Sequence, residues 1–158
     1  MNMNISRVLS TLFLLATVFS VRAEGVMVSD PWVRAAPPNA PALAAFMSLE
    51  NHSGSEVALI GVTAAAELGR VEMHRTKMAD GMMKMIQQKN IPVAPHSSTV
   101  LKPGSWHIMM IGPAKVPTVG DQIHLTLSFS DGSEQMVMAE VRRGGMMMKG
   151  GGHQMMHH

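Results

Sequence analysis

The chain has 158 residues, with 13 Lys and Arg against 11 Asp and Glu, 18 Met, and no Cys or Tyr. That length holds one domain with a modest core. The near-neutral balance, with no basic stripe interleaved with aromatics, excludes nucleic acid as a partner.

Residues 1–23 read as a secretory signal. Arg7 supplies a positive start, residues 8–21 are almost continuously apolar, and Val21-Arg22-Ala23 resembles a small-x-Ala cleavage site. The apolar run is shorter than the roughly 20 residues a membrane-spanning helix needs, so the mature chain is expected to carry no membrane span. Without Arg7 and Arg22, 11 basic residues face 11 acidic ones.

A β-rich domain is expected over residues 24–142. Val26-Met27-Val28 reads as a short strand, interrupted by Asp30-Pro31 before Trp32-Val33-Arg34. Pro37, Pro38 and Pro41 exclude helix and central strand, because proline lacks the donor and fixes φ. Residues 44–49 suit a buried strand, and residues 50–54 a turn. Residues 57–62 are again β-type, and 63–68 could form one helical turn that Gly69 stops. From Arg70 the alternation sharpens, with Val71 and Met73 on one side and Glu72 and His74 on the other. Ala79-Asp80-Gly81 should join this strand to residues 82–86 as a hairpin. Residues 106–111 and 123–129 read as strands, the latter alternating as in a half-solvated antiparallel sheet. Ser130-Asp131-Gly132-Ser133 is a hairpin turn leading into residues 134–141. Many short strands with Gly and Pro turns predict a β-sandwich or barrel. Residues 143–158, rich in Gly, Met and His and without periodicity, cannot build a core and are expected to form a disordered tail.

Most of the methionines need no special role, since Met fills irregular gaps. Met27, Met47, Met136 and Met138 are expected in the core or on the sheet surface. His52, His96 and His124 are expected to be solvated. His107 and Met109 differ, because an i, i+2 pair on a strand projects from one face and can chelate a single ion. His74 and Met85 offer a matching pair across the predicted hairpin. The tail residues His153, Met155, Met156, His157 and His158 are candidates for a secondary metal site.

The spacing is more specific than the composition. His74, ten residues, Met85, twenty-one residues, then His107-x-Met109 resembles the metal-binding pattern of the periplasmic PCuAC copper chaperones. Similarity extends to Asp30-Pro31-Trp32-Val33-Arg34, Gly81-Met82-Met83-Lys84-Met85, Ile91-Pro92, Leu101 through Met109, Gly120-Asp121 and Leu125 through Phe129. Departures from the family pattern fall at Pro95-His96 and Ser105-Trp106, neither of them at a ligand position. The resemblance implies a cupredoxin-like Greek-key fold and copper(I) held by His74, Met85, His107 and Met109. It also implies a non-enzymatic role in the periplasm. The recipient would be a copper-receiving subunit of a membrane oxidase or a Sco-type thiol assembly protein, and the tail would take copper(II). A monomer is expected.

Two imidazoles and two thioethers are neutral, and thioether favours copper(I) over copper(II). Such a site is expected to supply softness and geometry but little Coulomb attraction. A blue-copper electron carrier is excluded, because its His₂Cys site needs a thiolate. No nucleophile-base pair, phosphate loop or paired carboxylates point to a hydrolase or oxidoreductase. A copper buffer binding mainly through the tail is the alternative.

Overall fold

A computed structural model describes residues 25–144. The predicted signal and the tail ligands His153, Met155, Met156, His157 and His158 lie outside those residues. Ten strands follow in order: β1 (Val26–Arg34), β2 (Ala42–Asn51), β3 (Val57–Ala64), β4 (Arg70–Ala79), β5 (Met82–Gln88), β6 (Ile91–Val93), β7 (Ser97–Leu101), β8 (Trp106–Ile111), β9 (Gln122–Phe129) and β10 (Glu134–Arg142). A 3₁₀ turn, Ala66–Leu68, precedes Gly69, shorter than the turn expected over 63–68 because Thr63 and Ala64 continue β3. Among the described residues no helix is long and apolar enough to cross a membrane.

The ladder is continuous, β5-β4-β8-β7-β2-β1-β10-β9-β3-β6, with β8 also paired to β2. β7 takes the C-terminal half of β2 and β8 its N-terminal half. The end strands β5 and β6 are not hydrogen-bonded to each other, so the sheet stays open. The apolar sides of both halves nevertheless bury into one cluster, including Val33, Leu49, Leu59, Ile108, Met110, Leu125 and Leu127. β3 touches β4, and β6 touches β2 and β7, so the sheet folds over itself into two layers, as apolar strand faces require.

Strand alternation decides which residues reach that core. In β2 the odd-numbered residues Leu43, Ala45, Met47 and Leu49 are buried in the cluster. In β8 it is Ile108 and Met110, and in β4 Met73. The even positions of β2 and β4 and the odd positions of β8 therefore face away from the core. A bulge completes the pattern. Between Ser29↔Ser48 and Trp32↔Phe46, β1 advances three residues while β2 advances two. The extra residue, with Asp30 at φ +45°, reverses the alternation, as bulges do. Val33 enters the core, and Trp32 and Arg34 are turned outward. What reads in sequence as an interruption at Asp30-Pro31 is a bulge inside one strand.

The β4–β5 hairpin is closed by Asp80 (φ +53°) and Gly81 (φ +74°), the two positive φ values of a type I′ turn. This turn pairs Ala79 with Met82 and fixes every register position back to Met73↔Gln88. Met47 is buried, whereas Met27, Met136 and Met138 are exposed on the sheet surface.

Candidate metal centre

The four residues singled out by spacing lie on three neighbouring strands. His74 on β4 is directly opposite His107 on β8, and Glu72 is opposite Met109. On the other side of β4, Met85 is opposite Thr76, two residues from His74. Ala44 on β2 is opposite Met109. Directly paired residues share a face, so His74, Met85, His107 and Met109 all lie on the outer face of the sheet. The imidazole centroids of His74 and His107 are 5.8 Å apart. Met85, His107 and Met109 line one depression of about 130 Å³ with Arg34, Phe46 and Thr76. His74 is not part of that wall. It stands beside His107 at the adjoining register position.

Although this face is turned from the core, it is partly covered. Phe46 is 2% exposed yet lies outside the core cluster. The ring of Trp32 sits 4.7 Å from it and the Arg34 guanidinium 5.6 Å from its centroid. The β1 bulge thus supplies the lid over Phe46, whose ring lies 6.5 Å from His107. Trp106, adjacent to His107 in sequence, does not shield the site. It points to the opposite face, packs against the core and carries Arg75 over its ring at 4.6 Å.

Hydrogen bonding fixes the tautomer of each imidazole. His107 Nδ1 lies 3.0 Å from the Ser105 carbonyl oxygen. A carbonyl only accepts, so Nδ1 carries the proton and Nε2 keeps its lone pair. His74 Nε2 lies 2.8 Å from Glu72 Oε2. The other oxygen of Glu72 accepts from Arg70 Nε at 2.6 Å. Hydrogen bonds from His74 and then Arg70 hold the Glu72 carboxyl below its ordinary pKa. An ionised Glu72 only accepts, so His74 donates from Nε2, and in its neutral form Nδ1 keeps the lone pair. His74 Nδ1 and His107 Nε2 are the two buried side-chain N or O atoms without a hydrogen-bond partner among the described residues.

The contrast with Asn51 shows what this means. Asn51 is also buried, at 2% exposure. Its Nδ2 donates to the carbonyls of Ser55 and Val93, and its Oδ1 accepts from Ser53 N and Oγ. All four of its bonds are made. Leaving a buried polar atom unpartnered costs about 1–3 kcal/mol, and this fold bears that cost at two imidazole nitrogens on facing residues. Each is held by its other nitrogen in the way metal-binding histidines are oriented, one by a carboxylate and one by a backbone carbonyl.

Glu72 and Ser105 are the residues that sequence reasoning did not use. The signal for Glu72 was present, because it lies two residues from His74 on the same side of β4. A carboxylate thus sits one hydrogen bond from His74, with the Arg70 guanidinium on its other oxygen offsetting its charge.

Burial lowers the pKa of His107 by stripping water from the imidazolium. The Ser105 bond opposes this, and the neighbouring His74 adds to the lowering. The folded state therefore favours neutral His107. Its contribution to stability is full above about pH 6.5, the unfolded value. That contribution is lost as pH falls from there through the lower folded value. An NMR pH titration should place the His107 ring midpoint below the ordinary histidine value of about 6.5, and a midpoint at or above that value would contradict the tautomer and burial described.

The remaining histidines fit the bland expectation. His52 has a side chain 57% exposed with Nε2 3.7 Å from Glu50, while His96 and His124 are exposed. Among the described residues no three His, Asp or Glu side chains converge as a metal cluster.

The fold is that of PCuAC domains. A solved structure of the copper-bound PCuAC domain from PmoF2 superposes with a TM-score of 0.63 at 24% identity, over 75% of this chain and 92% of that one. Copper(I)-bound DR1885 from Deinococcus radiodurans gives 0.56 at 28% identity, over 77% and 83%. Residues 26–141 match the family described as "Putative lipoprotein LpqE-like", and the chain belongs to that family. It is 34% identical over 122 residues to "Putative lipoprotein Lxx21020" of Leifsonia xyli subsp. xyli, covering 77% of this chain and 72% of that protein. It is 26% identical over 99 residues to RP573 of Rickettsia prowazekii, covering 62% and 54%.

Proposed function

We propose that this protein is an exported copper chaperone that carries copper(I) on His74 Nδ1, Met85 Sδ, His107 Nε2 and Met109 Sδ. The observation that carries the reading is the pair of bare, buried imidazole nitrogens on directly opposed residues, with two thioethers on the same face. Two neutral nitrogens and two soft sulfurs suit copper(I), and binding would relieve both unpartnered atoms. Copper-bound PCuAC domains of the same fold support the choice of metal. The lipoprotein description of the family supports export, and the periplasm is the compartment proposed.

Copper is cargo here, so release matters as much as capture. His107 is 5% exposed and Met85 63% exposed. Incoming ligands would reach the metal from the Met85 side, displace that thioether first, and then compete with the buried imidazole. None of the four donors has to gain or lose a proton, any proton released comes from the receiving thiols, and the metal keeps its oxidation state. The proposed recipient is a copper-receiving oxidase subunit or a Sco-type thiol assembly protein, whose thiolates would outcompete neutral donors.

Copper(I) titration followed by X-ray absorption tests the donor set. Two nitrogen and two sulfur neighbours at one equivalent are expected, and a shell without sulfur refutes it. Glu72→Gln removes the charge that orients His74. Its expected effect is a loss of about 10–100-fold in copper(I) affinity, the usual cost of losing such a partner, with little change in thermal stability. Chelator competition measures the first and a melting curve the second.

A further inference from the structure

We propose that the tip of the β4–β5 hairpin is a second copper(I) site, in which Met78 and Met83 together with Met85 take up the ion and pass it to the His/Met centre. The proposal rests on the copper-carrier reading above and adds the route by which the cargo enters.

The type I′ turn places Met78 directly opposite Met83, and Thr76 opposite Met85. Cβ atoms at directly opposed positions are about 4.5–5.5 Å apart. Met83 and Met85 are i, i+2 on one strand, and Met78 is i+4 from His74 on the other. All three methionines therefore share the outer face with His74, His107 and Met109. They form an unbroken line from the hairpin tip to the depression that Met85 already lines. Each has three rotatable side-chain bonds, enough to bring three sulfurs onto one ion from these positions.

Packing does not account for these side chains. Met78 is 68% exposed and Met83 63%, and neither belongs to the core cluster or its partly buried surround. The charges near the hairpin tip are segregated. Lys77 and Lys84 are paired on the opposite face, where Lys84 bonds Asp80 at 3.2 Å. The methionine face carries no charged side chain between Met83 and Thr76. Three neutral, soft, solvent-reachable thioethers form a site for copper(I) and a poor one for the hard cations that dominate solution. Transfer inward would be ligand exchange through Met85, with copper remaining copper(I) and no proton released.

Met82 provides an internal control. It is 60% exposed and adjacent to Met83, but its pairing with Ala79 puts it on the lysine face. In the full chain carrying His107→Ala and Met109→Ala, copper(I) supplied as its acetonitrile complex should shift the ε-methyl NMR signals of Met78, Met83 and Met85 together. The Met82 signal should stay in place. Stationary Met78 and Met83 signals at saturation, or a Met82 shift equal to theirs, overturns the second site. With His107 and Met109 intact, loading from a copper(I) chelate should slow severalfold in Met78→Leu/Met83→Leu relative to Met82→Leu, and equal rates overturn the relay. The methyl titration does not depend on His107 or Met109, so it separates failure of the hairpin site from failure of the four-ligand centre.

Discussion

Replacing His107 and Met109 together by Ala is expected to abolish tight copper(I) binding and to leave a folded domain. Loss of one orienting partner costs a metal site about 10–100-fold. Removing two of four direct donors should exceed about 100-fold on that scale. The structure also indicates why the fold survives. Both side chains are on the outer face, and neither belongs to the core cluster, which takes Ile108 and Met110 from the same strand. His107→Ala opens space beneath Phe46 but also removes a buried Nε2 with no partner among the described residues. The lost packing is thus offset in part by about 1–3 kcal/mol of relieved desolvation. Competition against a copper(I) chelator and a thermal melt of the metal-free protein measure the two halves. Unchanged affinity would sink the four-ligand assignment, and an unfolded variant would show that the outer face contributes more to stability than its exposure suggests.

Much of the proposed centre is legible in the sequence, because strand alternation makes sequence spacing geometric. An i, i+2 pair on β8 has to share a face, and a two-residue Asp-Gly turn fixes the β4–β5 register from Ala79↔Met82 onward. The rest depended on pairings between distant strands. Nothing in the spacing of 21 residues between Met85 and His107 says that His74 lies opposite His107. The parity change at Asp30-Pro31 was also hidden, since Pro reads as a break whether or not the strand resumes. That one extra residue decides that Val33 is core and that Trp32 and Arg34 cover Phe46. Glu72 was visible as a neighbour of His74, but a shared side of a strand does not reveal a hydrogen bond or a tautomer. The bare nitrogens were invisible for the same reason. Trp106 shows the limit of adjacency, because being next to His107 in sequence puts it on the opposite face.

The largest loss of stability outside the core is expected at Gly69→Ala. Gly69 has φ +83° and ψ −159°, a region that side chains essentially never occupy and whose strain costs about 1–3 kcal/mol. The surroundings add a second cost. A Cβ there would overlap the carbonyl oxygen of Ile111 and come within 2.8 Å of the Gly112 carbonyl. These are backbone atoms that cannot swing aside. Ile111 is paired with Arg70 and Ala42, and Gly112 N donates to the Pro41 carbonyl at 2.9 Å. Moving them would strain the β4–β8–β2 ladder that aligns His74 with His107 and Ala44 with Met109. The two costs together should reach about 3 kcal/mol or more, a fall in melting temperature of more than about 10 °C for a domain of this size. Gly104→Ala is the matched comparison. Gly104 also has a positive φ, +79°, but a Cβ there meets nothing within 4 Å. Only the backbone preference, about 1–2 kcal/mol, opposes that change. Melting curves of the two variants should therefore separate clearly, with Gly69→Ala the lower. Equal melting temperatures would mean that the close approach of Gly69 to Ile111 is not what holds the end of β4 against β8.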